Sequence, residues 1–132
     1  RLALEDSSRT LKVVADQHGC PTWAGRLAKQ IATLITYGST GVYHAAGEGH
    51  CTWHEFAETF LELMHVEHDL APCITAEYPR PAPRPANSIL KNERLTHEGI
   101  NKMRPWQKDL ELFVSLHREA LIHEAKQAIS GA

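Results

Sequence analysis

The sequence lacks three features that would assign it to a specialised class of protein. No apolar run approaches the length that spans a bilayer and no signal peptide is recognisable, so a membrane partner is not expected. The formal net charge of the 132 residues is −2, which excludes a broad basic surface for nucleic acid. The three cysteines, Cys20, Cys51 and Cys73, are odd in number and have no CxxC spacing, which favours reduced thiols in a cytoplasmic protein.

A glycine-rich phosphate loop is also missing. The segment 47–49 reads Gly-Glu-Gly and falls between an expected strand and an expected helix, but it lacks the glycine pattern of a dinucleotide site or a P-loop. A tight turn before the helix accounts for it more simply. The sequence therefore offers no residue for binding a nucleotide cofactor.

Histidine, by contrast, is abundant, with nine residues. His50, Cys51 and His54 lie close together in the sequence, and His65 and His68 are three positions apart, a spacing compatible with zinc binding. A structural zinc site needs four ligands, however, and no second half-site has suitable spacing. We therefore expect no metal site, and histidines that are solvated or that cap helices.

Short strands alternate with helices along the chain, which predicts an α/β fold. Strands are expected at 11–15, 41–46, near 70–75 and at 88–90. Helices are expected to begin at Pro21, at a capping box formed by Thr52 and Glu55, at Asn92 and at Pro105. The first is expected to end at Gly38, the third at Gly99 and the last near Lys126.

Apolar residues at helical spacing indicate which helix faces are buried. In the first helix Leu27, Ile31, Leu34 and Ile35 share one face, which we expect to face the core. Trp53 and Trp106 are expected in the core or as staples at helix starts, whereas Trp23 is a candidate for stacking on a base or sugar. The expected inward faces of the later helices are Phe56, Phe60, Leu63 and Met64, followed by Trp106, Leu110, Phe113, Val114 and Leu121.

The segment 78–90 holds four of the seven prolines and two arginines, Arg80 and Arg84. Proline fixes φ and donates no hydrogen bond, so this segment should run as a stiff, extended ribbon. Each arginine carries a planar set of donors that suits a carboxylate or a phosphate. Taken by itself, the ribbon is more typical of a surface linker than of an anion site.

Four segments in the same order resemble the dTDP-4-dehydrorhamnose reductases, a family of extended short-chain dehydrogenases. Residues 13–22 read Val-Val-Ala-Asp-Gln-His-Gly-Cys-Pro-Thr, residues 41–47 read Gly-Val-Tyr-His-Ala-Ala-Gly, and residues 51–57 read Cys-Thr-Trp-His-Glu-Phe-Ala. The fourth is the ribbon itself, and the Arg-Pro-Trp at 104–106 also fits. The match covers nearly the whole chain with consistent spacing.

The resemblance implies that residues 1–132 are the C-terminal substrate-binding part of a longer protein. Its fold would be a small α/β unit with helices packed on a few short strands, and the Rossmann half would be missing. The parent enzyme would use NADPH in the cytoplasm to convert dTDP-4-dehydro-L-rhamnose to dTDP-L-rhamnose. The chain has neither a Gly-x-x-Gly-x-x-Gly loop nor a Tyr-x-x-x-Lys pair, so alone it should be inactive and should not bind NADPH. A non-catalytic binding relative, or a reductase or epimerase for another nucleotide sugar, remains an alternative.

The same resemblance supplies candidate substrate-binding residues. Arg84 and the weaker candidate Arg80 suit the diphosphate of a nucleotide sugar, although a structural salt bridge is an equally good role for Arg84. The other candidates are Gln17, Thr22, Asn87 and Ser88. In the family the strand at 41–46 belongs to the Rossmann sheet, so its free edge is expected to make the fragment self-associate.

Overall fold

A computed structural model of the chain describes residues 2–5, 9–38, 40–77, 82 and 84–130. In these residues five α-helices and four short strands follow one another in a mixed order. The helices are α1 (Leu2–Glu5), α2 (Ala24–Tyr37), α3 (Trp53–Leu63), α4 (Glu93–His97) and α5 (Trp106–Ser130). The strands are β1 (Thr10–Val14), β2 (His18–Gly19), β3 (Cys51–Thr52) and β4 (Asp69–Cys73), and a 3-10 turn covers Thr75–Glu77. The α/β class is therefore confirmed.

Two small sheets organise the strands. β1 and β4 are parallel, with Thr10 opposite Asp69 and Val14 opposite Cys73. β2 and β3 are antiparallel, with His18 opposite Thr52. The strands predicted near 11–15 and 70–75 are thus confirmed within one or two residues. The pairing of β2 with β3 sets the turn after β1 beside the start of α3.

The main core lies between α3 and α5. Cys51, Met64, Trp106, Leu110 and Val114 are buried there, with the phenylalanines of α3 packed against them. The capping box is confirmed, because the Thr52 hydroxyl accepts from the Glu55 N–H at 3.1 Å while the Glu55 carboxylate accepts from the Thr52 N–H at 2.7 Å. Such a cap is worth about 1 kcal/mol and fixes where α3 begins.

The prediction for the buried face of α2 is wrong for Ile31 and Ile35, although Leu34 packs against a buried core cluster. Ile31 is 47% exposed and Ile35 is 76% exposed, whereas Arg26 and Gln30 are buried. Gln30 donates to the Ile100 carbonyl at 3.1 Å and accepts from the Lys102 N–H at 2.6 Å. Polar side chains can replace apolar ones in the interior when all their hydrogen bonds are satisfied, and here the partners lie about 70 positions away in the chain.

Arg26 forms a buried ion pair with Asp109 of α5. The Arg26 Nε and Nη2 atoms lie 3.0 and 2.9 Å from one carboxylate oxygen, and Nε is 3.2 Å from the other. Both residues are less than 9% exposed. The pair therefore joins α2 to α5 through a largely buried charge contact.

Three further expectations are corrected. Residues 41–46 form no strand, because no described strand lies beside them; instead the Asn92 amide bonds both the N–H and the carbonyl of Ala46. Residues 88–90 form no strand either, and only an isolated bridge joins Asn87 to His18. Trp53 is 54% exposed because it points out of the first turn of α3, away from the core.

Two other helix limits are close to expectation. α2 ends at Gly38, which has the positive φ of 73° that favours glycine, and α5 begins directly after Pro105. α5 runs to Ser130, four residues beyond the predicted end. No helix in the described residues combines the length and the apolar character that crossing a membrane would need.

We expect Asp109→Ala to lower the free energy of unfolding by about 3–5 kcal/mol, because it leaves a buried guanidinium without its partner. Urea denaturation measures this effect. Glu111→Ala is the matched control, since Glu111 pairs with Lys108 on the exposed side of the same helix and should cost less than about 1 kcal/mol. Equal losses in the two variants would contradict a dominant role for the buried pair.

Candidate functional site

The site is a cavity of about 450 Å³ beside the β2–β3 ladder. Its walls come from the turn after β1, from the start of α3 and from the end of the proline ribbon. The lining residues used below are Gln17, Cys20, Thr22, Trp53, Arg84 and Ser88. The cavity thus brings together three of the four segments that carry the family resemblance.

A hydrogen-bond cluster fixes the turn that leads into β2. The Asp16 carboxylate accepts from the N–H of Thr75 at 3.0 Å and from its hydroxyl at 2.7 Å. These hydrogen bonds hold the pKa of Asp16 below its ordinary value. Gln17 donates to the same hydroxyl at 3.0 Å, so its side chain is held in place at the cavity wall.

The described end of the ribbon is docked on β2 by backbone hydrogen bonds. The His18 N–H donates to the Ala86 carbonyl at 2.8 Å, and the Ser88 N–H donates to the His18 carbonyl at 2.9 Å. The Ser88 hydroxyl reaches the same carbonyl at 3.1 Å. A side chain at Gly19 would place its Cβ 3.1 Å from the Ser88 oxygen, so the glycine permits this close approach.

Thr22 lies where the cavity wall meets the turn before β3. Its hydroxyl donates to the Cys20 carbonyl at 2.9 Å and accepts from the Gly47 N–H at 2.9 Å. A Cβ at Gly47 would lie only 2.1 Å from the Pro21 carbonyl oxygen. Glycine is therefore required for the two segments to touch, and Thr22 acts on the wall as a fixed structural element.

Arg84 is the exposed cation of the cavity. Its guanidinium makes no salt bridge and no hydrogen bond within the described residues. The alternative role, a structural ion pair that locks the ribbon, is thus not seen in that part of the chain. Its donors stay available for an anion in the cavity.

The six predicted site residues do not all meet. Gln17, Thr22, Arg84 and Ser88 line the same cavity. Asn87 is not among its lining residues, and its side-chain oxygen accepts from the Ile89 N–H at 2.9 Å, which makes it a turn residue. Arg80 lies outside the described residues.

Sequence reasoning missed the most exposed aromatic surface at the site. Trp53 lines the cavity and meets Phe56 edge to face, with ring centroids 6.5 Å apart. An indole ring held in this way offers a flat apolar surface for a base or a sugar ring. The signal was its position directly after the Thr52 cap, where a side chain can point away from the helix core.

Two thiols also line the cavity. Burial raises the pKa of the Cys51 thiol to about 11, helped by the nearby Glu55 carboxylate. Cys51 is therefore a neutral packing residue at neutral pH. Cys20 is half-buried, and its thiol lies 3.7 Å from the Leu90 carbonyl. Neither thiol stands beside a group placed to activate it as a nucleophile among the described residues.

No group of three or more His, Cys, Asp or Glu side chains in the described part of the chain is arranged to hold a metal ion. His18 and His50 meet edge to face with ring centroids 6.4 Å apart. The hydrogen bond from the Thr52 N–H is the main cause that lowers the pKa of Glu55, and the two histidines lower it further. The cavity contains the Arg84 guanidinium, which suits an anion, and the Trp53 ring, which suits an aromatic or sugar ring.

Comparisons with known proteins agree on one family. The sequence profile of the family described as "RmlD substrate binding domain" matches residues 1–118. The chain is 36% identical over 114 residues to a probable dTDP-4,6-dihydroxy-2-methyloxan-3-one 4-ketoreductase from Streptomyces antibioticus, covering 83% of this chain and 39% of that protein.

Two solved structures are similar to the fold. One is a dTDP-4-dehydrorhamnose reductase from Clostridium acetobutylicum, with a TM-score of 0.82 and 34% identity, covering 87% of this chain and 41% of that one. The other is the reductase of the same name from Bacillus anthracis in complex with NADP, with a TM-score of 0.78 and 33% identity, covering 85% and 40%. The chain spans about two fifths of the length of the curated relatives it matches.

We expect iodoacetamide to modify Cys20 faster than Cys51 at about pH 8. The rise of the Cys51 pKa from 9.0 to about 11 removes about 99% of its thiolate, which slows alkylation about 100-fold before burial is counted. Peptide mass spectrometry over a time course measures both rates, and Cys51→Ala confirms the peptide assignment. Equal rates at the two thiols would contradict the buried, neutral state of Cys51.

Proposed function

The chain belongs to the RmlD substrate binding domain family, and we propose that it is the substrate-binding part of an NADPH-dependent reductase that makes dTDP-L-rhamnose from dTDP-4-dehydro-L-rhamnose. Residues 1–132 would form the C-terminal domain of that enzyme. The observation that supports the proposal is the cavity beside β2, which is lined by both the unpaired Arg84 and the exposed Trp53 ring.

The two groups match the two parts of a nucleotide sugar. The guanidinium of Arg84 can donate two parallel hydrogen bonds to the diphosphate, which charge strengthens. Trp53 offers its face to the thymine or sugar ring, and the hydroxyl of Ser88 lies on the same wall. Since residues 86–88 are already hydrogen-bonded to β2, this part of the wall loses little conformational entropy when the substrate binds.

The described residues do not fit NADPH. The start of α3 follows a Gly-Glu-Gly turn, but the Glu55 carboxylate is bonded to the Thr52 N–H at 2.7 Å and puts a negative charge where a pyrophosphate would lie. The hydride donor would therefore bind to the rest of the parent protein, and the tyrosine and lysine of a Tyr-x-x-x-Lys pair would also lie there. We expect the chain alone to bind no NADPH and to catalyse no reduction.

A second candidate is a ketoreductase for another dTDP-linked keto sugar. It is favoured by the name of the Streptomyces antibioticus relative, which describes a 4-ketoreductase with a different product. Both candidate reductases need the same contact between Arg84 and the diphosphate. Their substrates would therefore carry the same nucleotide and differ in the sugar. Comparing the two keto sugars as substrates of the full-length parent separates them.

We also propose a binding partner, a cellular location and a surface for self-association. The partner is a small nucleotide sugar, since the net charge of −2 does not suit nucleic acid. The three cysteines are free, which supports a cytoplasmic location. In the isolated chain we propose that residues 41–46 are a surface for self-association even though they form no strand, because the backbone of residues 43–45 makes no hydrogen bond within the described residues and can pair with another copy.

Replacing Arg84 by Gln should weaken dTDP binding about tenfold, since one charge-assisted hydrogen bond to phosphate is worth about 1.5–3 kcal/mol. Isothermal titration of the 132-residue chain measures the Kd. Arg9→Gln is the matched control, because Arg9 is also exposed but is not among the residues lining the cavity. The binding role of Arg84 is wrong if dTDP binds both variants as tightly as the parent sequence.

Sedimentation velocity at high protein concentration should detect a dimer or larger assembly. Val42, in the segment 41–46, is 80% exposed, so Val42→Lys should shift the chain toward monomer by placing a charge there. Ala120→Lys adds the same charge on the exposed side of α5 and should leave the assembly unchanged. A clean monomer for the parent sequence would count against association through residues 41–46.

A further inference from the structure

A second cavity, of about 450 Å³, lies between α2 and the loop before α5. It shares no lining residue with the cavity beside β2. Its walls carry four basic side chains and two neutral polar ones, in a protein whose net charge is −2. These six residues are Arg26, Lys29, Lys102, Arg104, Thr33 and Asn101.

Three of the cations are unpaired. Lys29, Lys102 and Arg104 are exposed, and within the described residues their side chains make no ion pair and no hydrogen bond. Like charges gathered around a concave surface raise the local potential and attract anions. Lysines on a convex surface point away from one another, so their potentials do not add at one place in the same way.

The fourth cation, Arg26, is only 7% exposed. Its Nε and Nη2 atoms are turned to Asp109, at 3.0 and 2.9 Å from the same carboxylate oxygen. Nη1 is left without a hydrogen-bond partner in the described residues. The ion pair thus fixes a guanidinium in the cavity wall and leaves both N–H groups of Nη1 without a partner in the described residues.

No carboxylate lines this cavity. Two acidic side chains contact residues that line the cavity. Asp109 is paired with Arg26, and Glu48 accepts at 2.8 Å from both the Asn101 and the Asn92 amides. Asp109 and Glu48 therefore offset two of the four positive charges, and the surroundings of the cavity keep a net positive charge.

The loop that carries two of the cations is held rigidly on α2. The buried Gln30 side chain accepts from the Lys102 N–H at 2.6 Å and donates to the Ile100 carbonyl at 3.1 Å. The Asn101 side chain accepts from the Met103 N–H at 3.0 Å. A preorganised loop lowers the entropy that is lost when an anion binds.

The basic side of α2 is separate from its exposed apolar side. Arg26, Lys29 and Thr33 lie within roughly 60° of one another around α2, whereas the exposed Ile31 and Ile35 lie on the opposite side. A segment that covered only the apolar side would therefore leave the basic side facing water.

We infer that this basic cavity is a second anion site that binds a diphosphate group. Three free cations and a buried guanidinium suit an anion of two or three charges better than a single phosphate or carboxylate. A volume of about 450 Å³ accepts a diphosphate together with part of an attached group. The source is either inorganic pyrophosphate or a nucleoside diphosphate.

Pyrophosphate titrated into the isotope-labelled chain at low ionic strength should shift the amide signals of Lys29, Lys102 and Arg104 in a saturable way. The double variant Lys29→Gln/Lys102→Gln should weaken this Kd at least about tenfold. Higher salt should weaken binding to the parent sequence as well. A parallel titration with dTDP identifies the source: shifts at these amides point to nucleotides, and shifts with pyrophosphate alone point to the inorganic anion.

Two controls make the test specific. Lys91→Gln/Lys126→Gln removes the same charge from exposed lysines outside the cavity and should keep the Kd of the parent sequence. Arg84→Gln should also keep it, so a failure of the cavity beside β2 is distinguishable from a failure here. The inference is overturned if pyrophosphate causes no saturable shift at these amides, or if both lysine double variants lose equal affinity.

Discussion

The candidate site depends on two residues of backbone, His18 and Gly19, that are hydrogen-bonded on both sides. β3 lies along one edge of β2, and residues 86–88 of the ribbon lie along the other. The hydrogen bonds among these three segments bring Arg84 and Trp53 to the same cavity. These backbone hydrogen bonds hold the chain next to Arg84 in a fixed position, whereas a solvated linker would leave its arginine mobile.

Buried polar contacts connect the other elements. The Arg26–Asp109 pair joins α2 to α5, Gln30 joins α2 to the loop at 100–102, and the Asn92 amide holds the turn at Ala46. Each contact is satisfied on both sides, so it specifies one arrangement of helices where apolar packing would permit several. The exposed apolar side of α2 fits a domain whose relatives continue well beyond the matched two fifths.

Local signals in the sequence predicted the parts of the fold that local forces decide. The capping box at Thr52 and Glu55 and the inward stripe of α5 follow from spacing alone, and the structure has both. The burial of Gln30 and the exposure of Trp53 could not be predicted in this way. They depend on partners about 70 positions distant and on which side of a helix start the core lies. Asn92 was expected as a cap, yet its amide bonds Ala46 instead.

The most direct test of the account is a map of where dTDP contacts the isotope-labelled chain. The account predicts saturable amide shifts that cluster at 17–22, 51–53 and 84–88, with a Kd that is about tenfold higher in Arg84→Gln while the protein stays folded. Saturable shifts confined to other surfaces, or the same cluster at the same Kd in Arg84→Gln, would contradict the assignment of the cavity beside β2 as the nucleotide-sugar site.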